Sequence, residues 1–114
     1  LTPYLGRIFV ANVPSLTIRL CGDKLDGWLQ WPCYGKAVAD FVSPDSHHLL
    51  LSAELLLLDG LPVHLAGAGS SFRLLLLPLS LEDEAICSRC MGIVDGDLQD
   101  GPVTLAGPRL VTRN

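Results

Sequence analysis

The stretch Ser43-Pro44-Asp45-Ser46-His47-His48-Leu49-Leu50-Leu51-Ser52-Ala53-Glu54-Leu55-Leu56-Leu57-Leu58-Asp59-Gly60 decides the fold. It accommodates two readings. As a helix, Ser43 caps the start, Pro44 takes the first helical position, Asp45 favours the positive end, and Asp59-Gly60 stops the run. As strand, the same residues form two buried runs, because seven leucines among residues 49–58 follow no clear period and periodicity alone does not arbitrate. The helix reading makes this a β domain with a packed helix; the strand reading makes it all β.

Outward from this stretch, the punctuation is that of antiparallel sheet. Asp-Gly recurs at Asp26-Gly27, Asp59-Gly60, Asp95-Gly96 and Asp100-Gly101, and the pair suits type I′ hairpin turns, whose central residues both need positive φ. Strands are expected over residues 4–11, 16–21, 28–31, 37–42, 61–66 and 72–77, with Val103 and residues 110–112 completing the set. Residues 16–20 alternate, which puts Leu16, Ile18 and Leu20 on the core face and Thr17 and Arg19 on the other. A short helix is expected from about Leu81 to Met91, where Ser80 caps and Glu82-Asp83-Glu84 sit at the helix N-terminus. The fold class is therefore mainly β: a small antiparallel barrel or sandwich with one or two short helices.

Residues 1–114 read as a single β-rich domain, and the length suffices for one core without metal or disulfide support. The opening Leu1-Thr2-Pro3-Tyr4 has no methionine, so a processed product or a domain of a larger parent is expected. The composition is 49% hydrophobic, with 24 leucines and 6% aromatic residues, which excludes a disordered tail. No apolar run approaches the roughly 20 residues of a bilayer-spanning helix.

The net charge is −4, with eight basic against twelve acidic side chains, which argues against a duplex-binding face. Residues 1–42 carry four basic and three acidic groups, whereas residues 43–114 carry four and nine. A polyanion would therefore be met by the first third.

Four cysteines, Cys21, Cys33, Cys87 and Cys90, give C-x11-C and then C-x2-C. The count suits one structural zinc held by four thiolates, and C-x2-C is the spacing that lets two sulfurs reach one ion. Buried structural thiols, disulfides in any of three connectivities, and a C-x2-C redox centre are the other readings. Lack of a signal peptide leans the setting toward a reduced, intracellular one. Zinc on Cys87 and Cys90 is completed by Cys21 and Cys33 or by His; His47 and His48 point apart on strand or helix and so rarely bind one ion together, and His64 sits in an apolar strand, where a hydrogen-bonded core or surface histidine is the simpler reading.

Chemistry has few other handles. Gly67-Ala68-Gly69-Ser70-Ser71 lacks the lysine of a phosphate-binding loop and the third glycine of a dinucleotide fingerprint. The acidic run from Asp95 to Gly101 fails the calcium-loop pattern at its sixth and twelfth positions, Asp100 and Ala106. No catalytic residues are assigned.

The aromatics are more pointed. Trp28, Trp31 and Tyr34 cluster around Pro32 near Lys24 and Lys36, and Trp and Tyr concentrate binding energy at interfaces. Two functions follow. The first is a non-catalytic interaction or assembly module, docking a protein partner or a second copy through surplus apolar surface or an exposed strand edge. The alternative is a zinc-stabilised, OB-like domain that stacks single-stranded nucleic acid on this cluster.

Overall fold

The structure, a computed structural model, describes residues 6–25, 33–79, 88–96 and 102–110. Six strands form one sheet: β1 (Ile8–Asn12), β2 (Ile18–Cys21), β3 (Val63–Gly67), β4 (Arg73–Leu79), β5 (Arg89–Asp95) and β6 (Leu105–Leu110). Their order is β2-β1-β5-β4-β3-β6, and every pairing between neighbours is antiparallel. Of the barrel or sandwich expected from the sequence, the barrel is not formed: the antiparallel sheet stays open. Instead, residues 35–43 reach both of its edges through isolated contacts. Thr17 bridges Ala37 beside β2, and Val42 bridges Val103 just before β6. The Val38 and Ile18 N–H groups donate to Leu16 and Lys36 carbonyls at the first edge, and the Ser43 N–H donates to Val103 at the second.

The decisive stretch is helical. A 3-10 turn, Pro44–Ser46, leads into α1 (His47–Leu58). Pro44 opens the turn, as its fixed φ and missing N–H favour. Ser43 and Ser46 are used differently from the expected cap: the Ser43 hydroxyl pairs with that of Thr104, and Ser46 Oγ accepts the Leu105 N–H at 2.9 Å. Both serines thus tie the helix start to β6. At the other end the Gly60 N–H donates to Leu57 and the Leu61 N–H to Leu56, and Gly60 has φ 78°. This is the Schellman arrangement, which satisfies the last carbonyls and requires a residue at ease with positive φ.

One face of the sheet and one side of α1 share the core. Phe9 and Ala11 from β1, Cys90 and Val94 from β5, Leu74 and Leu76 from β4, and Val63 and Leu65 from β3 are buried together with Leu50, Ala53 and Leu57 of α1. Alternation along each strand produces this face. Gly92 belongs to it as well: a Cβ there would run into the Phe9 ring, its register partner on β1.

Three local expectations are corrected. Residues 38–41 form a 3-10 turn (Val38–Phe41) rather than strand, with the Ala37 N–H donating to Asp40 Oδ2. The helix expected to run on to Met91 does not reach there, because Arg89, Cys90 and Met91 open β5; residues 80–87 lie outside the described residues. Leu20 is 68% exposed instead of buried. The β1–β2 register shifts between Val10 and Ala11, and such a shift reverses which face a side chain takes.

Filling the space at Gly92 tests this packing. Gly92→Ala is expected to lower stability by about 1–3 kcal/mol through overpacking against Phe9, read as a lower denaturant midpoint; an unchanged midpoint contradicts the packing.

Candidate functional site

The second face of the sheet is apolar too. Residues directly opposite on antiparallel strands share a face, so the register assembles two rows. The first runs Leu20, Val10, Met91, Leu77 across β2, β1, β5 and β4. The second runs Ile8, Ile93, Leu75, His64 across β1, β5, β4 and β3. All are half-buried except Leu20, which is exposed. The flanking rows are mixed: Asn12 and Arg89 run on to Leu79, which is 40% exposed, at one end, and Asp95 and Arg73 run on to Ala66 at the other. Arg109 takes the register position opposite His64 on β6. The origin lies in residues 74–77, four successive leucines in a strand paired on both sides. A continuous apolar run of this length is the signature of a strand buried on both faces. Sequence reading identified the run but had no register with which to gather its neighbours into rows.

The residues singled out from the sequence are placed unevenly. Trp28, Trp31 and Cys87 lie outside the described residues. Tyr34 is 67% exposed and Lys24 is exposed, in the 3-10 turn Asp23–Leu25. Lys36 is half-buried, its Nζ over the Phe41 ring 5.9 Å from the centroid. Tyr34 is held against the β2 edge, since the adjacent Gly35 N–H donates to Ile18 and the preceding Cys33 is bonded to Cys21. The exposed Tyr34 and the exposed Leu20 therefore both lie at the β2 edge of the sheet.

The disulfide also revises the proposed zinc set. Cys21 and Cys33 are joined, their Cα atoms 6.9 Å apart. Disulfide sulfurs carry no thiolate charge, so in this state the two residues are not zinc ligands. Cys90 is buried in the core on β5. Among the described residues no group of three or more His, Cys, Asp or Glu is placed to hold a metal ion.

A second feature lies beside α1. A cavity of about 220 Å³ opens between Ser15 and Leu16 on one side and His47, Leu50, Leu51 and Glu54 on the other. Ser15 and Leu16 have φ of 79° and 48°, left-handed values that cost a side-chain-bearing residue roughly 1–2 kcal/mol each. Burial of Leu16 and the bond from the Val38 N–H to its carbonyl offset that cost. His47 Nε2 lies 2.9 Å from both the Ala39 and Val42 carbonyls, so that nitrogen carries a proton and donates. It braces the helix start and is not a base at that atom. Burial raises the Glu54 carboxyl above its ordinary pKa, and the Ser15 N–H, which donates to it, offsets part of the rise. Among the described residues, the cavity thus combines apolar walls with the Glu54 carboxylate.

Comparison with family models, curated protein sequences and solved structures finds no match for this chain. Among the described residues no helix is long and apolar enough to cross a membrane.

The raised carboxyl has a stability consequence. A folded-state pKa above the unfolded one means the native state holds the Glu54 proton more tightly, so this group's contribution falls as pH rises through and above 4.5. Glu54→Gln is expected to raise the thermal midpoint at pH 7, with the advantage shrinking as pH drops below the ordinary glutamate range. Equal midpoint differences at both pH values contradict this.

Proposed function

We propose that this chain is a non-catalytic interaction module that docks a protein partner on the second face of its sheet. The observation that carries the reading is the pair of apolar rows, Leu20-Val10-Met91-Leu77 and Ile8-Ile93-Leu75, the second ending at His64, with Arg73 and Arg89 in the rows beside them. A contiguous apolar patch with a polar rim is the anatomy of a docking surface. Tyr34, exposed beside β2, is a side chain of the type that anchors interfaces. Strand addition is less favoured as a docking mode, since residues 35–38 already occupy part of the β2 edge and Val42 bridges next to β6.

The single-stranded nucleic-acid alternative gains no support from the described surface. Stacking needs exposed aromatic faces beside cations. The arginines of the sheet instead surround leucine, isoleucine and valine, and Lys36 is turned onto Phe41. For compartment, the Cys21–Cys33 disulfide does not exclude the intracellular setting read from the sequence.

The test uses the anionic dye 1-anilinonaphthalene-8-sulfonate on the dilute chain, beside a Val10→Thr/Leu77→Thr/Ile93→Thr variant. Threonine keeps β-propensity at these half-buried positions while removing apolar surface. The wild-type chain is expected to enhance dye fluorescence, and the variant, folded by circular dichroism, to lose more than half of that enhancement. A folded wild-type chain that leaves the dye dark, or a variant that binds it equally, contradicts the reading.

A further inference from the structure

We propose that the partner for this face is α1 of a second copy of the same chain, so that copies associate head to tail. The proposal rests on the docking-face reading above and names its occupant.

The first argument is charge. Between Lys36 and Arg73 the chain carries four acidic residues, Asp40, Asp45, Glu54 and Asp59, and no lysine or arginine. These residues build the 3-10 turns, α1 and the approach to β3, so the helix layer is acidic. The second face of the sheet carries Arg73 and Arg89, both exposed; Asp95, the register partner of Arg73, is its one acid among the described residues. Among the described residues, the acids between Lys36 and Arg73 thus belong to the helix layer and its turns, and the exposed arginines Arg73 and Arg89 to the sheet.

The second argument is apolar surface. Leu51 and Leu55 lie one turn apart on α1, away from the core-facing Leu50, Ala53 and Leu57, and are 61% and 66% exposed. A helix that is hydrophobic on all sides is normally covered on all sides. Here the sheet covers only one.

Dimensions agree with the match. Twelve residues of helix extend about 18 Å. The two rows of the sheet face together cross from β2 to β3, four strand spacings or about 19 Å. Successive same-face residues on a strand are roughly 7 Å apart, so the rows leave a shallow furrow for a helix.

The charges also select the mode. Pairing the sheet face with itself opposes arginine to arginine, and pairing α1 with itself opposes acid to acid. Pairing one with the other brings unlike charges together. Because the two surfaces lie on opposite sides of one molecule, the contact is heterologous and each docked copy offers a fresh face. The contact area of one short helix is below the ~800 Å² per partner of a standard interface, so association is weak and salt-sensitive.

Sedimentation velocity across concentration and salt tests this with two variants altered at exposed positions. Leu51→Glu/Leu55→Glu spoils the helix surface, and Leu20→Glu/Arg73→Glu spoils the sheet surface. Leu51→Ser/Leu55→Ser replaces the first pair if circular dichroism shows unfolding. The wild-type chain is expected to gain average mass with concentration and lose it with added salt, and each variant alone to stay monomeric. Mixed in equal amounts, the variants are expected to form a dimer and nothing larger, because each retains the surface the other lacks. A wild-type chain that stays monomeric at every concentration overturns the proposal; if that monomer still binds the dye, the docking face stands and only its occupant is wrong. Wild-type association without rescue on mixing also overturns it, by showing a self-complementary contact.

Discussion

Four leucines in a row, Leu74, Leu75, Leu76 and Leu77, form the middle of a strand with partners on both sides, and the pleat sends two of them to each face. One helix covers one face. Leu74 and Leu76 join the core with Leu50, Ala53 and Leu57, while Leu75 and Leu77 line the other side with Val10, Met91 and Ile93. No register avoids this, since a one-residue slip merely exchanges the pairs. The apolar second face is thus a direct consequence of the strand that organises the core.

α1 repeats the problem in helical form. Its leucines surround the axis, so packing on the sheet leaves Leu51 and Leu55 outside. Among the described residues, apolar side chains are therefore left on both layers, Leu51 and Leu55 on the helix and the second-face rows on the sheet, and the proposed self-association rests on these two surfaces. The edges are less available. Residues 35–43 contact both, Ser46 ties β6 to the start of α1, and the Cys21–Cys33 bond fastens the segment leading to Tyr34 onto β2. Edge protection of this kind discourages strand addition.

Much of the fold was legible where punctuation is local. Pro44 and Gly60 mark the ends of the helical stretch because each suits a specific backbone state, positions that hold whatever packs nearby. The interior, residues 49–58, was ambiguous for the same reason that α1 exposes leucine: there is no polar face to set a period. Leu20 was assigned to the core by alternation, and the register shift opposite it turned the side chain outward. Residues 38–41 resembled strand in composition but were bent into a turn by the Asp40 carboxylate accepting the Ala37 N–H. At the start of β5, cap and charge signals suggested helix, and pairing of Arg89, Cys90 and Met91 with β1 and β4 overrode them. The site was the least legible part. Its residues come from five strands, and only the register shows that Val10, Met91 and Leu77 are neighbours.

The account stands on the second face being open to solvent in the lone chain and closed in the assembled one. Methyl NMR with a soluble paramagnetic agent measures this directly. In dilute solution the Ile8, Val10, Leu77 and Ile93 methyls should broaden strongly and those of Val63, Leu65 and Val94 should not; at high concentration the first group should gain protection. Equal protection of both groups in dilute solution would contradict the account.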